Sequence, residues 1–299
     1  MKNTVFIHTN EKQRLGALVA RHALLRNSAN PAAFDVRIVR TEDFAFLSRR
    51  EGQRYLREGK MQVWKNDDLQ SFPPLRFAVP ELMGYVGRAI VIDPDVFAVG
   101  DVNELFERDM GGRAILARRM ESDSRRPLHW ASSVMLLDCG RLKHWQAERD
   151  FSLLFEAKRD YRDWNWLLLE PEGSVGELES AWNDFDTLTP ETRMLHNTHR
   201  RTQPWKTGLP ADFTTRGTTR SARWNLLMQR TRRLLGSSEA AKGYYKPHPD
   251  PAQERLFFTL LGECLANGSV SEALVREEIE RGHLRPDAFS LLERRQSAA

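Results

Sequence analysis

Cysteine is scarce in this chain: there are two among 299 residues, Cys139 and Cys264, and neither stands in CxxC spacing. A disulfide framework and a zinc knuckle are both excluded as organising devices. No run of about 18 apolar residues occurs, and a strand-like VFIH starts after only four residues. A transmembrane helix and a secretory signal are not expected, and the chain reads as cytoplasmic. One-sided charge is also lacking, since 45 Lys+Arg against 41 Asp+Glu leaves +4. That is little for a protein that must neutralise many phosphates, so no nucleic-acid partner is expected. No GxGxxG follows the first strand, which argues against the usual dinucleotide fold. Internal repeats and low-complexity tracts are absent too.

What is present suits a soluble α/β protein, with 40% hydrophobic and 29% charged residues. TVFIHT reads as a strand, KQRLGALVARHALLRNS as an amphipathic helix and FDVRIV as a second strand. Strand, helix, strand in that order implies a parallel pairing covered by helices, with ligands beyond the carboxyl ends of the strands. Thr9 and Asn10 follow the first strand, where a nucleotide is held in such folds. The stretch from Phe44 to Lys60 has a helical, basic pattern, and helix is expected again around Arg141 to Trp145. RAIVI, AILARR, SSVMLLD and RMLHN read as further strands. Near residue 212 the character changes to arginine-rich and helical. This divides the chain into a catalytic-looking body over 1–212 and a basic extension over 213–299. In the extension, RGTTRSARWNLLMQRTRR collects arginines around Trp224. It is either a solvated helical face or a surface for anionic lipid or an anionic acceptor.

The stretch VIDPDVFAVGDVNELF carries the chemistry. Side chains at i and i+2 of an extended segment share a side, and Pro94 keeps Asp93 out of helical geometry. Asp93 and Asp95 can thus converge on one object, and two close carboxylates favour a hard divalent cation between them. The same triplet also suits an ordinary acidic turn. Asp101 with Glu104 reads as a helix N-cap and its capping-box partner. A hundred residues on, His196 ends a short apolar strand, and His199, Arg200, Arg201 and Lys206 trail it. Imidazole can complete a carboxylate metal site, and the cations can neutralise phosphate oxygens. Together these groups suggest a metal-chelated diphosphate as leaving group.

From about Thr4 to Gly208, the chain resembles the GT-A glycosyltransferases. It resembles in particular family eight, which includes glycogenin and the bacterial lipopolysaccharide galactosyl- and glucosyltransferases. LRFAVPEL resembles the family's arginine-bearing helix; RAIVIDPDVFAVGDVNELF its strand, DxD and helix; RDWNWL its acid-plus-amide helix; and MLHNTHRRTQPWKTG its histidine, lysine and tryptophan motif. The resemblance implies a Rossmann-like nucleotide-diphospho-sugar transferase fold: a mixed sheet flanked by helices, with a helical C-terminal extension. It implies a metal-dependent, retaining transfer of a hexose from a nucleotide sugar, usually UDP-linked, with Mn2+ or Mg2+ bridging the phosphates. Asp93, Asp95 and His196 would be the metal ligands. Arg76 would contact the sugar diphosphate, Thr9 and Asn10 the nucleoside, Asp163 and Asn165 the reacting sugar, and Arg200 or Lys206 the phosphates. The acceptor would be a glycan or a lipid-linked precursor, reached by a protein in the cytoplasm or at the inner membrane face.

The chain departs from the family pattern in places. Gln203 stands in QPW where the family carries lysine. Trp130, Ala131, Ser132 and Ser133 replace the usual asparagine and glycine, and Trp164 follows Asp163 where glutamine is common. Two other readings stand beside this one, the first kept in view by these departures and the second by a shared strand-and-helix topology and metal dependence. One is a nucleotide-sugar-binding protein of the same fold that has lost the chemistry. The other is a sugar nucleotidylyltransferase, which would want a glycine-rich basic loop that HTNEKQRLG does not supply.

Overall fold

The computed structural model describes residues 2–124, 126–211 and 243–296. The arginine-rich stretch around Trp224 lies outside the described residues. Among those described, no helix is long and apolar enough to cross a membrane.

Strand and helix alternate from the start, as expected: β1 (Asn3–Thr9), α1 (Arg14–Arg26) and β2 (Phe34–Arg40). The segment after α2 (Ala45–Ser48) corrects the helical expectation for 44–60, because β3 (Arg54–Arg57) and β4 (Lys60–Val63) form an antiparallel hairpin. Glu58 and Gly59 both take positive φ, 54° and 70°, between the paired Arg57 and Lys60. That is the two-residue turn whose twist suits a hairpin, and it overrides any helical period in the flanks. A 3-10 segment, Pro73–Ala78, then leads into α3 (Val79–Leu82) and β5 (Arg88–Ile92).

After β5 come β6 (Val96–Ala98), α4 (Asn103–Phe106), β7 (Ile115–Met120) and β8 (His129–Asp138). The helix expected near Arg141 to Trp145 forms later, as α5 (Ala147–Phe155). Its first turn starts where the Asp150 carboxylate accepts the Gln146 N–H at 3.0 Å. The chain continues through α6 (Tyr161–Asn165), β9 (Val175–Leu178), β10 (Asp184–Phe185) and β11 (Met194–His196). The N-cap of α4 is Val102 rather than Asp101, whose carboxylate accepts the Asn103 N–H at 2.9 Å from one residue earlier. Glu104 does not complete the capping box but pairs with Arg193 at 3.3 Å.

The main sheet runs β2-β1-β5-β8-β7-β9. β2, β1 and β5 are parallel, β8 is antiparallel to both β5 and β7, and β9 is parallel to β7. The result is a mixed sheet with helices on both faces, which is why β5 reads as an unbroken apolar run. On one face, Phe6, Val91 and Met135 meet Leu75, Phe77, Trp145, Phe151 and Trp164. Phe77 stacks on Trp164 at 4.2 Å between ring centroids, and burying a side chain such as Phe77 contributes roughly 1.5–3 kcal/mol. α1 covers the other face with its buried Ala17, Ala20 and Leu24.

The described residues divide into two compact units: Met1–Thr198 with Glu263–Ser271, and His199–Gly262 with Glu272–Ala299. In the second, Trp205 stacks on Phe257 at 4.8 Å and Arg285 Nη1 donates to Glu254 at 2.6 Å. The helices Pro251–Ala266, Glu272–Glu280 and Ala288–Gln296 form in the C-terminal part of the chain.

Candidate metal centre

Asp93 is the first residue past β5, and its N–H donates to the Ser133 carbonyl of β8 at 3.0 Å. The Val96 N–H returns to the Asp93 carbonyl at 3.2 Å, closing a tight turn over Pro94. That turn delivers Asp95 to the head of β6. β6 pairs antiparallel with β11 in the register Val96↔His196, so a three-residue pairing closes a gap of a hundred residues. A second sheet, β10-β11-β6, thus carries His196 to the acidic turn. One ligand atom from each of Asp93, Asp95 and His196 lies within 4.8 Å of the others. α1 passes close behind: a Cβ on Gly16 would sit 2.6 Å from the Pro94 carbonyl oxygen.

The histidine is oriented by a partner that sequence reasoning missed. His196 Nδ1 lies 2.9 Å from Asn183 Oδ1, and Asn183 in turn donates through Nδ2 to Ser133 Oγ at 3.0 Å. Because the Asn183 amide nitrogen is spent on Ser133, its oxygen accepts from His196 Nδ1–H. This leaves His196 Nε2 facing Asp95 Oδ1 at 3.4 Å. Such an outer partner fixes the ring and tautomer of a metal-ligating histidine. Burial by itself would lower the pKa of His196, but Asp95 and then Asp93 prevail and raise it above the usual value. The carboxylates thus favour a positive charge at this place, one that a divalent cation can supply instead of the proton.

Asp93 has two further partners. Arg76 Nη2 lies 2.6 Å from each of its carboxylate oxygens, with Arg76 Nε 3.2 Å from Oδ1. His8 Nε2 lies 2.7 Å from Oδ1. Arg76 Nε also donates to His8 Nε2, at 3.1 Å. Burial lowers the pKa of His8 despite Asp93, which is consistent with a neutral ring. For Asp93, burial works to raise the pKa, but the charge of Arg76 and the contact with His8 outweigh it and hold the carboxyl well below its usual range. His8 was overlooked in the sequence; its place opposite Asp93 follows from the strand register, one step beyond the β1–β5 pair Ile7↔Ile92.

Arg76 also gathers Asn165 and Ser132. Its Nη1 donates to Ser132 Oγ at 2.7 Å and reaches Asn165 Oδ1 at 3.5 Å. The Ser132 hydroxyl donates to the Asn165 carbonyl. Asp163 is not part of this group; its carboxylate accepts from Arg162 Nε at 2.9 Å. Two residues apart on α6, the side chains of Asp163 and Asn165 diverge by about 200°. Thr9, the last residue of β1, and Asn10 after it are buried: Thr9 Oγ1 donates to the Asn10 carbonyl at 3.0 Å, and Asn10 Nδ2 donates to the Asp68 carbonyl at 3.0 Å and Ser71 Oγ at 3.1 Å. Arg200 and Lys206 belong to the second unit. There Arg200 is exposed, while Lys206 is fully buried with its ammonium 5.4 Å from the Tyr245 ring centroid.

No family model matches the sequence, and no curated protein matches it. Solved structures to which the chain is similar include glycosyltransferases. The glycosyltransferase GlyE of Streptococcus pneumoniae TIGR4 is 14% identical with a TM-score of 0.48, over 83% of this chain and 65% of that one. This chain therefore spans just under two thirds of the GlyE length. The galactosyltransferase LgtC, solved with donor and acceptor sugar analogs, is 13% identical with a TM-score of 0.47, over 76% of this chain and 94% of that one. Mouse xyloside xylosyltransferase 1 is 14% identical with a TM-score of 0.44, over 66% and 98%.

Proposed function

We propose that this chain is a metal-dependent glycosyltransferase that moves a hexose from a UDP-linked sugar to a glycan or lipid-linked acceptor, with retention of configuration. One observation carries the proposal. Two carboxylates and an imidazole converge at the carboxyl end of β5, in a sheet covered on both faces, which is where such sheets take ligands. Mainly oxygen donors with one nitrogen suit Mn2+ or Mg2+ better than the softer metals. When bound, the ion would supply Lewis-acid stabilisation of the departing nucleoside diphosphate. Asp93, Asp95 and His196 would hold it, Asn183 would keep the imidazole in register, and Arg76 would carry a positive charge beside the diphosphate. Asn165, whose amide is shared between Arg76 and the Tyr161 carbonyl, would lie on the side of the donor sugar.

The test is a screen of nucleotide sugars for Mn2+-dependent thermal stabilisation, in the parent and in Asp95→Ala. The expected result is stabilisation by UDP-linked sugars in the parent that disappears on adding chelator and is absent from the variant. Equal stabilisation of both proteins would sink the metal assignment. A second reading, binding without transfer, is favoured by the engagement of Asp163 with Arg162. Stabilisation without any metal-dependent release of UDP would support that reading.

A further inference from the structure

Every N–H of Arg76 has a partner. Nη2 addresses both Asp93 oxygens at 2.6 Å, Nε is shared between His8 Nε2 at 3.1 Å and Asp93 Oδ1 at 3.2 Å, and Nη1 is taken by Ser132 and Asn165. The side chains of Arg76 and Asp93 are only 9% and 11% exposed, so water screens this pair weakly. His8 closes the same carboxylate from a third direction at 2.7 Å. A dication arriving at Asp93 would meet a guanidinium already seated on both of its oxygens. Like charges that close oppose one another, and an arginine with no spare donor cannot grip a phosphate without releasing something.

We propose that Arg76 is an internal counter-ion holding the place of the divalent cation at Asp93, and that an anionic diphosphate draws it away. Cation and diphosphate then bind with positive coupling through one side chain. This rests on the reading of Asp93, Asp95 and His196 as a metal site, and adds to it the order of events. Alone, the ion finds one of its two carboxylates occupied and binds weakly. Alone, the diphosphate must pull Arg76 from Asp93 and leave that carboxylate without its ion pair, an unfavourable state in a buried setting. Together, the phosphate oxygens receive the guanidinium and the ion receives the carboxylate. By linkage, each ligand tightens the other by the same factor. His8 stays on Asp93 in both states and keeps the carboxylate oriented, as an outer partner of a metal ligand does.

The experiment is a titration of Mn2+ into the full chain, following loss of the free-ion magnetic resonance signal, alone and with saturating UDP. Parent, Arg76→Gln and Arg76→Lys are compared, and circular dichroism confirms that each is folded. The parent is expected to bind Mn2+ about tenfold or more tightly with UDP than without. Arg76→Gln is expected to bind Mn2+ alone about tenfold more tightly than the parent, and to gain less from UDP. Arg76→Lys keeps the charge but loses the two-pronged grip, and should fall between them. If the glutamine variant does not fold, the lysine variant decides by the same comparison. Folded variants that bind Mn2+ alone no more tightly than the parent would overturn the counter-ion role while leaving the metal site standing. Absence of Mn2+ binding in every protein, with and without UDP, would overturn the metal site and the counter-ion role together.

Discussion

At the level of single residues, chemistry follows burial more than identity. Both thiols of this chain are buried. Burial, with the neighbouring Asp138 acting in the same direction, pushes the Cys139 thiol up to about 12. Burial pushes Cys264 up to about 11. Since the thiolate is the reactive form, raising the pKa lowers the reactive fraction at any given pH. A disulfide reagent at pH 8 is expected to titrate neither thiol in the folded protein and both after guanidinium unfolding. Reaction of either in the native state would contradict this. The acidic turn shows how far residue types could be read. Asp93 and Asp95 were legible as a pair from i, i+2 spacing, and His196 as a strand-end imidazole. Asn183 was not, because an amide in the run SAWNDF carries no mark of the ring it will orient. Arg76 was read as facing a diphosphate, whereas its ion pair with Asp93 depends on β5 and the Pro73–Ala78 segment meeting in space.

Among elements, α1 and the turn it backs make the most direct link between packing and site. Alanine at Gly16 would gain about 1 kcal/mol of helix propensity. The added Cβ would lie 2.6 Å from the Pro94 carbonyl oxygen, a backbone atom that cannot rotate aside. Overpacking of this kind costs about 1–3 kcal/mol and moves the backbone it presses on. Gly16→Ala is therefore expected to lower the urea midpoint and to weaken Mn2+ binding, the second because the displaced turn carries both aspartates. A variant more stable than the parent would mean that propensity wins and the helix can retreat. The stretch 44–60 teaches the converse lesson about legibility. Its apolar spacing fits a helix in isolation, but positive φ at Glu58 and Gly59 makes a hairpin turn, and β3 and β4 pair across it. Capping was half legible: Asp101 meets the Asn103 N–H next along the chain, while Glu104 is taken by Arg193, which only the fold brings near.

Across the whole chain, charge is spread almost evenly in sign, with a net +4, so a basic surface requires local concentration. RGTTRSARWNLLMQRTRR supplies such a concentration and interleaves it with Trp224, Leu226, Leu227 and Met228. Basic residues beside apolar ones bind anionic bilayers by combining charge with burial. The parent protein is expected to sediment with vesicles rich in anionic lipid, and to do so less when Arg220, Arg230 and Arg232 are neutralised together. Unchanged sedimentation would remove the lipid reading and leave that of a solvated face. By itself, the sequence determined the alternation of strand and helix, the apolar run of β5 and the residue types of the acidic turn. These depend on local period, propensity and turn chemistry, which act over a few neighbours. Only the tertiary structure decided that β8 runs antiparallel between β5 and β7, that β11 delivers His196 to Asp95, and that His8 and Arg76 close on Asp93. Each of these depends on contacts between residues far apart in the chain, and pairing energies at that range leave no periodic trace in the sequence.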